Sequence, residues 1–196
     1  MKKSLLILTI AAGAFSFQSC NSNNKSADDT VEHAMDQNEE MADRQGTTGA
    51  GLGTDDAAEF AVKAADSGLA EVSAGEIAQQ KAQNQSVKDF AAKMIQDHTK
   101  ANEELKSIAA SKNITLPTAP GEDHQERIAD LNSHTGADFD KEYMAMMVDD
   151  HQKAVDLFED AAENDEDPEL SAFAAKTLPS LKKHLEEAQA LEESLE

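Results

Sequence analysis

Three histidines carry most of the chemical interest of this sequence. His98, His151 and His184 each fall inside an apolar stripe with helical spacing. The stripes read Phe90, Ala91, Met94, His98, Ala101, Leu105, Ile108; Tyr143, Met147, His151, Ala154, Phe158; and Phe173, Thr177, Leu181, His184, Ala188, Leu191. A fourth stripe, Phe60, Ala64, Glu71, Gly75, Ala78, Ala82, carries Glu71. Imidazole is a common metal ligand, and helices that face one another can turn several ligands onto one point. Three imidazoles and a carboxylate therefore make a candidate site for one transition-metal ion: zinc, copper, iron or manganese. Asp97 and Asp150 each stand one residue before a stripe histidine, where they either ligate or orient a neighbouring ring. Met94 and Met147 lie one turn before His98 and His151. Their thioethers suit Cu(I) as ligands, or fill the core as flexible apolar side chains. Tyr143 is a partner for a buried histidine or a further ligand.

Two other readings use the same residues. The His, Asp and Tyr set can form a buried polar network that fixes helix register without metal. Alternatively, a bound metal can serve a redox enzyme acting with oxygen or peroxide. No histidine has Glu three residues before it, so the Glu-x-x-His pairs of di-iron carboxylate centres are missing. The chain has no Gly-rich phosphate loop and no Gly-x-Ser-x-Gly elbow. Nucleotide and haem cofactors are not expected.

The elements that must position these residues are helices. From Thr54 onward apolar residues recur at three and four, with no strand-like alternation. Four long helices are predicted at about 55–83, 87–112, 138–164 and 168–194, with a short one at 122–133. Ser86-Val-Lys-Asp89 reads as a start resembling a capping box. Asp167 followed by Pro168 reads as an N-cap with Pro at the first helical position. Pro179, inside the last helix, predicts a kink just before His184. His33, His124 and His134 are expected at the surface.

Two helices share a local sequence. Phe90-x3-Met94-x2-Asp97-His98-x-Lys100-Ala101 aligns without a gap on Tyr143-x3-Met147-x2-Asp150-His151-x-Lys153-Ala154. The repeat predicts an all-α, up-down four-helix bundle with one extra short helix, the repeated helices taking equivalent places.

Composition bounds the partners. Acids outnumber bases 39 to 17, for a net charge of -22. A phosphate backbone needs a Lys/Arg surface, so nucleic acid is not expected as a partner. A basic protein partner stays open. Cys20 is the single cysteine, which rules out an internal disulfide framework.

Residues 1–19 read as a lipoprotein signal peptide. Lys2 and Lys3 precede an uncharged run from Leu5 to Phe17, too short to span a bilayer. Phe17-Gln-Ser-Cys20 resembles a bacterial lipobox, which implies acylation at Cys20 and contact with membrane through that anchor only. Residues 20–53 read as an acidic flexible tether with a reach of about 30 Å, in which Val31, Met35 and Met41 form a faint helical stripe. Residues 54–196 form the domain.

Four motifs together resemble a known family: Glu71-Val-Ser-Ala-Gly75, the two Asp-His elements at 97–98 and 150–151, and Leu178-Pro179-x-Leu181-x2-His184-Leu185. They are similar to domain-of-unknown-function family 4142, an exported bacterial family commonly labelled outer-membrane. The resemblance covers about Asp55–Leu191. It implies a ferritin-like helical bundle, export to the cell envelope with the outer membrane as the expected address, and no established biochemical activity. The polar positions that match its pattern are Glu71, Asp97, His98, Tyr143, Asp150, His151 and His184.

Overall fold

The computed structural model describes residues 29–45, 55–164 and 167–195. Cys20 and the signal segment lie outside the described residues. Six α-helices run in order: α1 (Asp29–Gln45), α2 (Asp55–Lys81), α3 (Gln85–Lys112), α4 (Glu122–Ser133), α5 (Ala137–Asn164) and α6 (Pro168–Leu195). No strand occurs among the described residues. The all-α reading and the four long helices are borne out, with ends shifted by one to two residues.

α2 pairs with α3, and α5 with α6, as two hairpins. α2 also packs on α5, and α3 on α6, closing a four-helix ring. The direction of each helix follows from its ends. Asp140, buried at the start of α5, accepts from the backbone N–H groups of Gln83 and Asn84 just past the end of α2, at 3.0 and 2.8 Å. Lys112, at the end of α3, pairs with Asp167 at the start of α6, at 2.8 Å. Neighbours in the ring are thus antiparallel, while α3 and α5 run the same way. The connection between them must therefore travel the length of the bundle, and α4 lies on that crossover against α2 and α5.

Local signals explain the ends. Asp167 caps α6, its Oδ1 accepting from the N–H groups of Glu169 and Leu170 at 3.0 Å each. α3 begins earlier than expected, because Asn84 rather than Ser86 is the cap: its side chain accepts from Ser86 N–H at 2.8 Å. α3 ends on Asn113 at φ 58°, a left-handed C-cap that Asn tolerates. Pro179 sits within a continuous α6 on its exposed side.

The expected tether needs a correction. Asp29–Gln45 is a helix docked on α2 and on the segment that follows α3. Ala34 is fully buried, and Asn38 both donates to the Thr115 carbonyl (3.0 Å) and accepts its N–H (2.7 Å). Thr30 Oγ1 donates to the Ala119 carbonyl at 3.1 Å. Gly121 gives α1 room: a Cβ there would stand 3.0 Å from Val31 Cγ2. The faint stripe of Val31, Met35 and Met41 is the half-buried side of this helix.

Two apolar cores fill the ring. One gathers Phe60, Leu105, Phe158, Leu170, Phe173 and their neighbours. The other gathers Phe90, Met94, Phe139, Tyr143, Met147 and Ala188. Along every long helix one polar residue falls between the two cores: Glu71 on α2, His98 on α3, His151 on α5 and His184 on α6.

Candidate metal centre

The polar layer is dry. Glu71 is 1% exposed, His151 0% and His184 1%, with His98 also buried. The three imidazoles form a near-equilateral triangle, with ring centroids 5.4, 5.5 and 5.6 Å apart. One ligand nitrogen from each ring lies within 4.8 Å of the others. A tetrahedral ion with metal–nitrogen bonds of about 2.0–2.1 Å separates its ligand nitrogens by about 3.4 Å, so the nitrogens need to draw together by at most about 1.4 Å.

Each ring is held by one nitrogen against an acceptor. His98 Nδ1 lies 2.6 Å from Glu71 Oε2. His151 Nδ1 donates to the Met147 carbonyl at 2.9 Å, with Glu71 Oε1 at 3.5 Å. His184 Nε2 donates to Asp97 Oδ2 at 2.9 Å, with Ser180 Oγ at 3.4 Å. An acceptor obliges the nitrogen facing it to carry the proton, which leaves the opposite nitrogen of a neutral ring with a bare lone pair. Those opposite atoms, His98 Nε2, His151 Nε2 and His184 Nδ1, are all buried without a hydrogen-bond partner. Such atoms are rare in proteins, because burying an unsatisfied polar group costs about 1–3 kcal/mol.

The electrostatics follow from this packing. Burial alone would raise the Glu71 carboxyl, but His98, His151 and His184 hold it down at about 2. Burial opposes charge on His98, yet the adjacent Glu71 carboxylate raises its pKa above the ordinary 6.5. Burial lowers His151, and burial reinforced by the other two rings lowers His184 to about 4. The metal-free cluster thus favours one protonated ring, His98, beside two neutral ones.

The remaining expected residues divide. Glu71 and Asp97 touch the rings from the side that orients an imidazole. Asp150 does not join the cluster: Arg127 of α4 binds its Oδ1, and Arg127 also pairs with Asp149 at 2.9 Å. Burial nevertheless raises the Asp150 pKa. The two repeated Asp residues therefore have different partners, because α3 borders α6 on that side whereas α5 borders α4. Met94 and Met147 are fully buried in the apolar core on one side of the cluster. Tyr143 is in the same core, its hydroxyl buried without a partner and its pKa raised by burial and by Glu71. His33 is exposed and pairs with Gln37 of its own helix, at 3.0 Å. His124 is more enclosed than expected and bonds Asp66 at 2.9 Å. The Met147 carbonyl, Ser180 and Arg127 were not singled out by residue type and spacing. Arg127 alone left a mark in the sequence, as the only arginine after residue 54.

A crossover four-helix bundle with a histidine layer at mid-height defines a ferritin-like helical protein with a candidate metal centre. Residues 42–191 match the family model described as "Domain of unknown function (DUF4142)", and the chain belongs to this family. A solved structure, the crystal structure of a DUF305 fragment from Deinococcus radiodurans, is similar in fold. Its TM-score is 0.63 at 13% identity, over 74% of this chain and 97% of that one. No curated protein matches the chain.

Proposed function

We propose that the protein binds one transition-metal ion through His98 Nε2, His151 Nε2 and His184 Nδ1, and serves metal binding or stress protection in the bacterial envelope, anchored by lipid at Cys20. One observation carries the reading: three clustered rings on three helices are each held by one nitrogen against an acceptor and leave the other buried and without a hydrogen-bond partner. A self-contained polar network would be expected to spend those nitrogens on one another or on the hydroxyl of Tyr143. Glu71, the Met147 carbonyl and Asp97 then act as the outer partners that fix ring orientation and tautomer, as such groups commonly do around metal-bound imidazole. Charge also balances: once His98 gives up its extra proton, a divalent ion meets the carboxylates of Glu71 and Asp97, while Asp150 is neutralised by Arg127. A nitrogen-rich set favours zinc or copper over manganese or magnesium.

Metal content of the untagged full chain, measured by plasma mass spectrometry, tests this. About one ion per chain is expected, lost in His98→Ala/His151→Ala while the far-ultraviolet dichroism stays helical. Glu71→Gln should keep the ion with affinity roughly 10–100-fold lower; complete loss there would make Glu71 a ligand. Failure to take up zinc, copper, iron or manganese on reconstitution would leave the histidines as a structural network.

A further inference from the structure

We infer that the ion reaches the histidines through the seam between α3 and α6, where Asp97 is the carboxylate that first meets it. The inference rests on the metal-binding reading above. Of the three groups that hold the rings, two are sealed: Glu71 is 1% and Met147 0% exposed. Asp97 is the exception, with 37% of its side chain in solvent while its Oδ2 bonds His184 Nε2 at 2.9 Å. Among the charged groups that hold the rings, it is the one that meets both solvent and a ring of the cluster.

The other partly exposed polar pair beside the bundle interior is Arg127 over buried Asp150, with 33% of the Arg127 side chain exposed. There the guanidinium already engages the carboxylates of Asp149 and Asp150 and covers the buried one, whereas Asp97 stands partly in solvent on the α3–α6 seam. A carboxylate open to solvent offers an arriving cation a first oxygen ligand, which a covered and paired one does not, so the Asp97 side is favoured.

α3 and α6 meet over fewer residues than the two helices of either hairpin. Ion pairs bridge the seam on both sides of Asp97: Lys93–Glu187 at 2.5 Å and Lys176–Glu104 at 2.7 Å. Partly exposed pairs of this kind hold more weakly than buried ones and are screened by salt. Pro179 lies in the same stretch of α6, just over one turn before His184, and withholds the backbone N–H that would bind the Ala175 carbonyl. Lys93 stands one turn before Asp97 and its charge reaches His184, so it works against an arriving cation.

Stopped-flow loading of the metal-free full chain with Co2+, followed by the visible bands of the bound ion, tests the route. Asp97→Asn keeps an acceptor for the His184 N–H but loses the charge. It should slow loading about three- to tenfold and remove most of its dependence on salt. Lys93→Gln touches no ring and should speed loading, and Arg127→Gln should leave the rate within about twofold of wild type, the size of change that ordinary surface charges produce. The route is overturned if Asp97→Asn and Lys93→Gln both load at the wild-type rate, or if Arg127→Gln is the variant that accelerates. A wild-type chain that takes up no Co2+ at equilibrium would instead remove the metal-binding reading, and this route with it.

Discussion

At the scale of single residues, the three histidines are chemically unequal although each occupies the same layer. His98 faces Glu71 and has its pKa raised, while burial keeps His151 and His184 neutral. An ion must displace the proton of His98, and below the ordinary 6.5 that proton is held firmly. His151, lowered by burial, and His184, lowered to about 4, bring no proton to displace at pH 6.5 and above. Zinc affinity is therefore expected to weaken on acidification by about tenfold per pH unit, one proton per ion, once the pH falls below the raised pKa of His98. Competition titrations at several pH values would measure the slope; a value near three protons would contradict this assignment of charges. Residue type and helical spacing were enough to single out His98, His151, His184 and Glu71. They did not reveal which nitrogen of each ring is tied, because that depends on side-chain rotamers set by neighbouring helices.

At the scale of elements, α1 is the instructive case. Its inward residues are Val31, Ala34, Met35, Asn38 and Met41. Val, two Met and one Ala supply little apolar area, and Asn38 reads as polar, so the segment resembled a tether. It docks because its contacts are non-local: Asn38 meets Thr115, and Thr30 meets Ala119. Ala34→Asp, at a position 1% exposed, should unseat it. Hydrogen exchange should then show residues 29–45 losing protection while α3 and α5 keep theirs. Loss of protection throughout would mean that α1 is integral to the bundle rather than laid upon it. The α2–α3 turn is tied in a similar non-local way, by Asp140, which no spacing rule would have picked out.

At the scale of the whole molecule, charge is the dominant feature. A net charge of -22 on 196 residues repels itself at short range in the compact state. Raising sodium chloride from about 10 to 200 mM, which shortens the screening length from roughly 30 to 7 Å, should raise the melting temperature of the metal-free chain. A fall over that range would indicate that the surface ion pairs, such as Lys176–Glu104 and Lys182–Glu159, outweigh the general repulsion.

The sequence by itself determined the four long helices and the short α4, their approximate ends and the layer in which the histidines lie, because each rests on local periodicity, capping and turn chemistry. It also pointed to the family that the match over residues 42–191 then established. The tertiary structure decided the rest. It made α3 and α5 parallel by sending α4 along the bundle. It drew α1 onto α2, and it broke the symmetry of the repeat by giving Asp97 to His184 and Asp150 to Arg127. These are choices among neighbours distant in sequence, and periodicity within a helix carries no information about which other helix stands beside it.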